Sequence, residues 1–433
     1  MPFEIHGDVT VPGDKSITHR ALMLAAAAEG ESRLSGLLPG EDCRSTASVL
    51  RALGCDVPVP PSDGSEIVVR GRGLDGWRAP DAPLDCGNSG TTSRLMMGLL
   101  ASRRFASVLT GDASLRGRPM RRITAPLAEM GARFRELDAP DRLPIEVSGE
   151  GLHGIDYASP KASAQIKSAV LLAGLGGRVR VSVTEPGLSR DHTERLLGSL
   201  GVPIRSETSA EGARAVLEAW EGSLRGFELR VPGDPSSAAF LAALALLADA
   251  GELRIRGVCA NPTRTGFFAI VRRMMGLVAW ERGRAEGGEP VSDLVVRPSK
   301  LRGVVVEAHE IPAAIDEVPI LAALATRAEG ETRITGAGEL RVKESDRIAA
   351  LVNAIRAIGG EAEELEDGLV VRGSDRPQGG RVVTHGDHRI AMAFGVLAAL
   401  PGNAIEIDDP ECAAVSYPGF WGVVARLTGG QGE

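Results

Sequence analysis

A chain of 433 residues, 43% of them hydrophobic, is long enough for two or three domains and for a large buried core. Lys and Arg number 49 against 57 Asp and Glu, a formal charge of −8, and aromatic residues make up 3%, so a nucleic-acid partner is not expected. The cysteines (Cys43, Cys55, Cys86, Cys259, Cys412) never stand in a C-x₂₋₄-C pair, which argues against a disulfide framework and a zinc cage. Apolar runs such as Ala238–Ala248 fall short of the ~20 residues a membrane span needs. The opening MPFEIHGDVT has no basic stretch leading into an apolar run, so no export signal is expected and a cytoplasmic, reducing environment is the reading.

Along the chain, amphipathic helical patterns end repeatedly in a hydrophobic residue (once, weakly, Thr428) followed by glycine. The endings are Leu53-Gly54, Met130-Gly131, Leu200-Gly201, Met275-Gly276, Ile358-Gly359 and Thr428-Gly429, spaced 77, 70, 75, 83 and 70 residues apart. Glycine at such a place supplies the left-handed residue that closes a helix. A β-like run precedes each: RLSGL, FASVL, VRVSV, LRIRGV, TRIT and AIEID. A second helix class, rich in alanine and nearly all apolar, alternates with the first and starts near Asp14, Asn88, Ser163, Ser236, Asp316 and Asp387. Helices without a polar face belong in the interior. The pattern predicts an α/β protein of six repeated units. The tetrapeptide VPGD at Val11–Asp14 and again at Val231–Asp234 divides the six into three and three, and leaves open which half residues 1–13 join.

The starts of the alanine-rich helices carry polar groups where unpaired backbone N–H groups and the positive helix end favour anions. The first reads Gly13-Asp14-Lys15-Ser16-Ile17-Thr18-His19-Arg20, in which Asp14 breaks a Walker A pattern. The second, Cys86-Gly87-Asn88-Ser89-Gly90-Thr91, permits close backbone approach to a ligand or forms a plain capping turn. GDASLRGRPM offers Arg116 and Arg118, and RVKESDR gathers Lys343, Glu344, Asp346 and Arg347; charge runs of this kind also make ordinary exposed faces. Asp316 and Glu317 precede one apolar helix, and Asp387, His388 and Arg389 precede another, as caps or as catalytic groups. His385 and His388 lack a third ligand at metal spacing, so no metal is expected. The G-x-G-x-x-G run Gly71–Gly76 leads into WRAPDAP rather than a helix, which rejects a dinucleotide site.

Taken together and in order, DKSITHRAL, CGNSGTTSRL, LRGRPM, SAQIKSA, IDEVP, RVKESDRI and GDHRIAMAF resemble the 5-enolpyruvylshikimate-3-phosphate synthase family of enolpyruvyl transferases, over about Val11 to Phe420. The resemblance implies two inside-out pseudo-threefold domains, each of three βαβαββ units, one formed by residues 14–231 and the other by 1–13 with 232–433. It implies transfer of the enolpyruvyl group of phosphoenolpyruvate to the 5-hydroxyl of shikimate 3-phosphate through a tetrahedral ketal, with release of phosphate. No cofactor and no metal are implied, and the expected molecule is a cytoplasmic monomer and a target of glyphosate. Two phosphates and two carboxylates bring about five to six negative charges, against which stand Lys15, Arg20, Arg118, Lys343, Arg347 and Arg389.

By motif position, the resemblance assigns Lys15, Ser16, Arg20, Ser163, Ala164, Gln165, Ser189, Asp316 and Lys343 to shikimate 3-phosphate. Lys15, Gly90, Arg118, Gln165, Arg347 and Arg389 fall to phosphoenolpyruvate. Asp316 is the expected base and Glu344 the proton donor, with Lys343 and Lys15 assisting. Three positions depart from the family pattern: Val415 where a lysine is frequent, Ala164 where a serine is common and Glu339 where an asparagine is common. Two other readings compete. One is enolpyruvyl transfer to UDP-N-acetylglucosamine, which the absence of cysteine from GDASLRGRPM disfavours. The other is a polyanion-binding repeat protein without catalysis, which acids set among cations disfavour.

Overall fold

The computed structural model describes residues 2–209, 212–343 and 345–429. Among the described residues, twelve helices of eight or more residues alternate between two roles. In chain order they are α1 (Lys15–Ala27), α2 (Glu41–Ala52), α3 (Gly90–Leu100), α4 (Arg121–Glu129), α5 (Ala164–Gly177), α6 (His192–Ser199), α7 (Pro235–Leu246), α8 (Gly266–Arg273), α9 (Val318–Ala325), α10 (Arg347–Ala357), α11 (His388–Ala398) and α12 (Phe420–Leu427). The odd-numbered six are the alanine-rich class, and α7 is buried along its whole length. Such a helix has no face to offer water, so it lies in the interior. Short side chains let the helices meet closely: a Cβ on Gly98 in α3 would stand 2.3 Å from the Ala169 carbonyl oxygen in α5.

Capping fixes where these helices start. The Asp14 carboxylate accepts the Ile17 N–H at 2.9 Å, and Asp234 accepts the Ser236 N–H at 2.8 Å. Both VPGD copies thus end in an N-cap. Ser89, Ser163 and Asp387 cap α3, α5 and α11.

The glycine that closes the even-numbered helices has positive φ at Gly54, Gly131, Gly201, Gly359 and Gly429. In the fourth repeat the structure departs from the expectation. Helix α8 stops at Arg273, so the left-handed residue is Met275 at φ 71°, one place before the glycine. Gly276 answers to packing instead, since a Cβ there would come within 2.4 Å of the Val271 side chain.

Two compact units emerge. The N-terminal unit comprises Gly13–Val231 with Ala285–Glu289; the C-terminal unit comprises Met1–Pro12, Pro232–Arg284 and Pro290–Glu433. The expected division had put 285–289 with the C-terminal half. In the structure Glu289 accepts from His192 Nδ1 at 2.7 Å and the Gly288 carbonyl accepts from Arg195 at 3.3 Å, which ties this turn to α6.

In the N-terminal unit, Ile155–Ala158 pairs in parallel with Val181–Glu185, which pairs antiparallel with Gly212–Leu217, itself hydrogen-bonded to Ile204–Ser209. With α5 and α6 between the strands this is a complete βαβαββ repeat. The first repeat borrows its leading strand from the end of the unit, where Glu228–Arg230 runs parallel to Glu29–Ser35. The C-terminal unit borrows in the same way: Glu4–Thr10 runs parallel to Ala250–Cys259, with Glu4 opposite Ala250. Residues 4–10 thus serve as the leading strand of the fourth repeat, and Ile5 and Val9 enter the core of that unit.

Candidate active site

Within the N-terminal unit, several of the expected binding residues lie at the starts of α1, α3 and α5, each fixed by its own hydrogen bonds or ion pairs. Lys15, at the start of α1, pairs with the Asp42 carboxylate at the start of α2. Arg20 lies one turn on and is 5% exposed; its Nε donates to Thr193 Oγ1 and its Nη2 to Ser168 Oγ, both at 2.7 Å, and its Nη1 donates to the Ser16 carbonyl at 2.9 Å. Burial pulls the Arg20 guanidinium down to about 10; the Glu194, Asp14 and Glu289 carboxylates oppose this, while the Arg190 cation adds to it.

Gly90 opens α3, and Arg118 donates to Asn88 Oδ1 at 2.6 Å in the turn just before it. Arg116 does not join this group, because it pairs with Asp138 on an exposed surface. Gln165, in the first turn of α5 after Ala164, has its side-chain oxygen held by Arg94 at 3.0 Å and Arg122 at 3.4 Å. That leaves its amide N–H groups to donate to a ligand. Ser163 caps α5, whereas the Ser189 hydroxyl lies 2.9 and 2.7 Å from the two oxygens of Glu185. A hydroxyl has one proton, so the proton of Ser189 is committed to Glu185 in this structure.

The C-terminal unit carries a second cluster. Lys343 Nζ, Arg347 Nη1 and Arg389 Nη2 stand 3.9, 3.8 and 3.8 Å from the Asp316 carboxylate, and Arg389 also donates to the Asp316 carbonyl at 2.9 Å. Arg347 is fully buried, and its guanidinium bonds the Asp387 carboxylate at 2.7 Å. Asp387 also caps α11 through the Arg389 backbone N–H at 3.0 Å, so one carboxylate holds the Arg347 guanidinium and the start of the helix that carries Arg389. Glu344 lies outside the described residues. Val415 ends a 3-10 turn, Pro410–Val415, and Glu339 lies in another, Gly338–Val342. Among the described residues no group of three or more His, Cys, Asp or Glu has metal-binding geometry, and no helix is long and apolar enough to cross a membrane.

Sequence reasoning missed Asp42, Arg94, Arg122, Lys167, Glu185 and Arg190. Lys167 carried a readable signal, the one charged residue in a largely apolar helix, because burial of an ammonium demands carboxylates nearby. Asp42 carried none beyond that of an ordinary acid in a first helical turn.

The model of the family described as EPSP synthase (3-phosphoshikimate 1-carboxyvinyltransferase) matches residues 2–424. The chain belongs to the EPSP synthase family. It is 50% identical over 417 residues to the 3-phosphoshikimate 1-carboxyvinyltransferase of Alkalilimnicola ehrlichii, covering 96% of this chain and 92% of the relative. The enzyme of the same name from Desulfitobacterium hafniense is 46% identical, covering 98% and 95%. The solved EPSP synthase of Acinetobacter baumannii superposes with a TM-score of 0.85 at 40% identity, covering 98% of this chain and 96% of that one. The enolpyruvyl transferase NikO from Streptomyces tendae, at 19% identity and a TM-score of 0.74, covers 98% of this chain and 95% of that one and shares the fold. The two-unit repeat architecture is that of the enolpyruvyl transferases. The chain is a transferase of the shikimate route to aromatic amino acids, moving the enolpyruvyl group of phosphoenolpyruvate onto shikimate 3-phosphate.

Proposed function

We propose that Asp316 removes the proton from the 5-hydroxyl of shikimate 3-phosphate as that oxygen attacks C2 of phosphoenolpyruvate. The observation that carries this is the Asp316 carboxylate ringed by Lys343, Arg347 and Arg389 at 3.8 to 3.9 Å. A carboxylate among cations suits a site where an anionic substrate is held and a proton must be accepted. Glu344 is assigned from its sequence position alone; it donates a proton to the methylene carbon, which becomes a methyl group in the tetrahedral ketal. Loss of a methyl proton with departure of phosphate then restores the vinyl group on the new ether oxygen. Lys343 and Lys15 balance charge during both steps.

In the same reading, Lys15, Ser16, Arg20, Ser163, Ala164 through its backbone, Gln165, Ser189, Asp316 and Lys343 hold shikimate 3-phosphate. Lys15, Gly90, Arg118, Gln165, Arg347 and Arg389 hold phosphoenolpyruvate. The orientation of Gln165 by Arg94 and Arg122 supports a donor role toward an anion. Ser189 serves the acceptor through Glu185 rather than by giving its own proton. The reading extends to a cytoplasmic monomer that needs no cofactor, checked by cell fractionation and by mass from light scattering. The test of the reaction is phosphate release from phosphoenolpyruvate with shikimate 3-phosphate as acceptor and UDP-N-acetylglucosamine as comparison. Release with the first alone is expected, and release with the second alone would overturn the assignment.

A further inference from the structure

Lys167 sits in the first turns of α5, 2% exposed, the one charged residue of that helix. A buried ion cluster is weak evidence for stability, since taking the ammonium and its carboxylate partners out of water offsets much of what their attraction returns. Its partners indicate what it orders. The Lys167 ammonium lies 2.9 Å from a Glu185 oxygen, 2.9 Å from a Glu194 oxygen and 3.4 Å from the Ser189 carbonyl. Burial works against its charge, but the Glu194 and Glu185 carboxylates outweigh this and hold its pKa above the ordinary value.

Glu185 is 1% exposed, and the same carboxylate accepts the Ser163 backbone N–H at 2.6 Å and the Ser189 hydroxyl at 2.9 and 2.7 Å. One carboxylate therefore fastens the N-cap of α5 to the loop that leads into α6. Ser163 Oγ receives only a long contact, 3.5 Å, from the Ile166 N–H, and its own O–H remains to donate outward.

We infer that Lys167 and Glu185 are positioning residues for the phosphate of the acceptor substrate: Lys167 anchors Glu185, and Glu185 sets the turn that aims the Ser163 hydroxyl. This rests on the reading that Ser163 binds shikimate 3-phosphate. Charge gives Lys167 a second role. Its ammonium offsets part of the buried charge of Glu185 and Glu194, so an arriving phosphate meets less repulsion than two bare carboxylates would give.

The test measures kcat and both Michaelis constants for the wild type, Lys167→Met and Glu185→Gln. Lys167→Met is expected to raise the KM for shikimate 3-phosphate about tenfold, with the KM for phosphoenolpyruvate within twofold and kcat within threefold. Glu185→Gln separates positioning from charge and holds even where Lys167→Met fails to fold. Removing a negative charge would by itself tighten phosphate binding, whereas an amide directed at the Lys167 ammonium loses the anchor and weakens it. A KM for shikimate 3-phosphate raised about fivefold in Glu185→Gln supports the inference; an unchanged or lowered value overturns it, as does a parallel rise in both Michaelis constants. A wild type inactive on shikimate 3-phosphate would refute the reaction assignment, whereas an active wild type with indifferent variants refutes the positioning role alone.

Discussion

At Asp316 one carboxylate oxygen or the other lies within 3.9 Å of three different cations, and replacing that group isosterically removes a proton acceptor without removing volume. Asp316→Asn is expected to lower kcat by at least a hundredfold, within the range general-base catalysis contributes, while calorimetry shows shikimate 3-phosphate affinity within about tenfold of wild type. Turnover near normal would remove Asp316 from the chemistry. Gly90 is governed by space. A Cβ there would stand 2.7 Å from Arg94 Nη1 and 3.4 Å from Arg118 Nη1, so Arg94 must move, and Arg94 holds Gln165. Glyphosate is longer than phosphoenolpyruvate and tolerates the lost space less. Gly90→Ala should raise the glyphosate inhibition constant at least fivefold more than the KM for phosphoenolpyruvate, measured in the same competitive assay. Equal changes would place Gly90 away from that subsite.

Between α1, α2 and α3 runs a buried polar thread: His19 Nδ1 to Thr46 Oγ1 at 2.7 Å, Thr46 to Thr92 at 2.7 Å, and Thr92 to Ser89 at 2.8 Å. Burial pushes His19 down to about 3 from its ordinary 6.5, the Lys15 and Arg20 cations pushing the same way and the Asp42 and Asp14 carboxylates opposing. The unfolded chain binds this proton more readily, so the contribution of neutral His19 is complete above pH 6.5 and declines as pH falls toward 3. Between pH 6.5 and 5 the wild type should lose about 2 kcal/mol more than His19→Gln, read from urea unfolding at each pH. Equal losses would show that His19 is not buried neutral. The elements themselves were largely legible. Alanine-rich runs without a polar face marked the interior helices, and Asp14 and Asp234 announced their starts. What escaped depended on partners distant in sequence. Met275 took the left-handed place because α8 ended one residue early, and the position of Lys167 signalled a buried charge without naming its partners, Glu185 and Glu194.

In the whole molecule, the six-unit count was readable from helix endings, but the repeat pattern left residues 1–13 unplaced and only the family resemblance put them with 232–433, because a lone short strand carries no signal of which sheet it joins. The structure gives Glu4–Thr10 to the unit that holds the C-terminal half, with Ile5 1% exposed in its core. Ile5→Ala is expected to cost about 2–5 kcal/mol. Hydrogen exchange should accelerate across Ala250–Cys259 and leave Val181–Glu185 in the other unit at its wild-type rate; uniform acceleration would contradict separate cores. The borrowed leading strands also impose an order of events during synthesis. The N-terminal unit has nearly all its parts once Glu228–Arg230 emerges to meet Glu29–Ser35. Glu4–Thr10 must wait for Ala250–Cys259 to leave the ribosome, roughly 10 to 50 seconds at 5–20 residues per second. For that interval a strand with apolar Ile5 and Val9 stays unpaired while the N-terminal unit is still being made, which makes the nascent chain, rather than the completed enzyme, the form most in need of a chaperone.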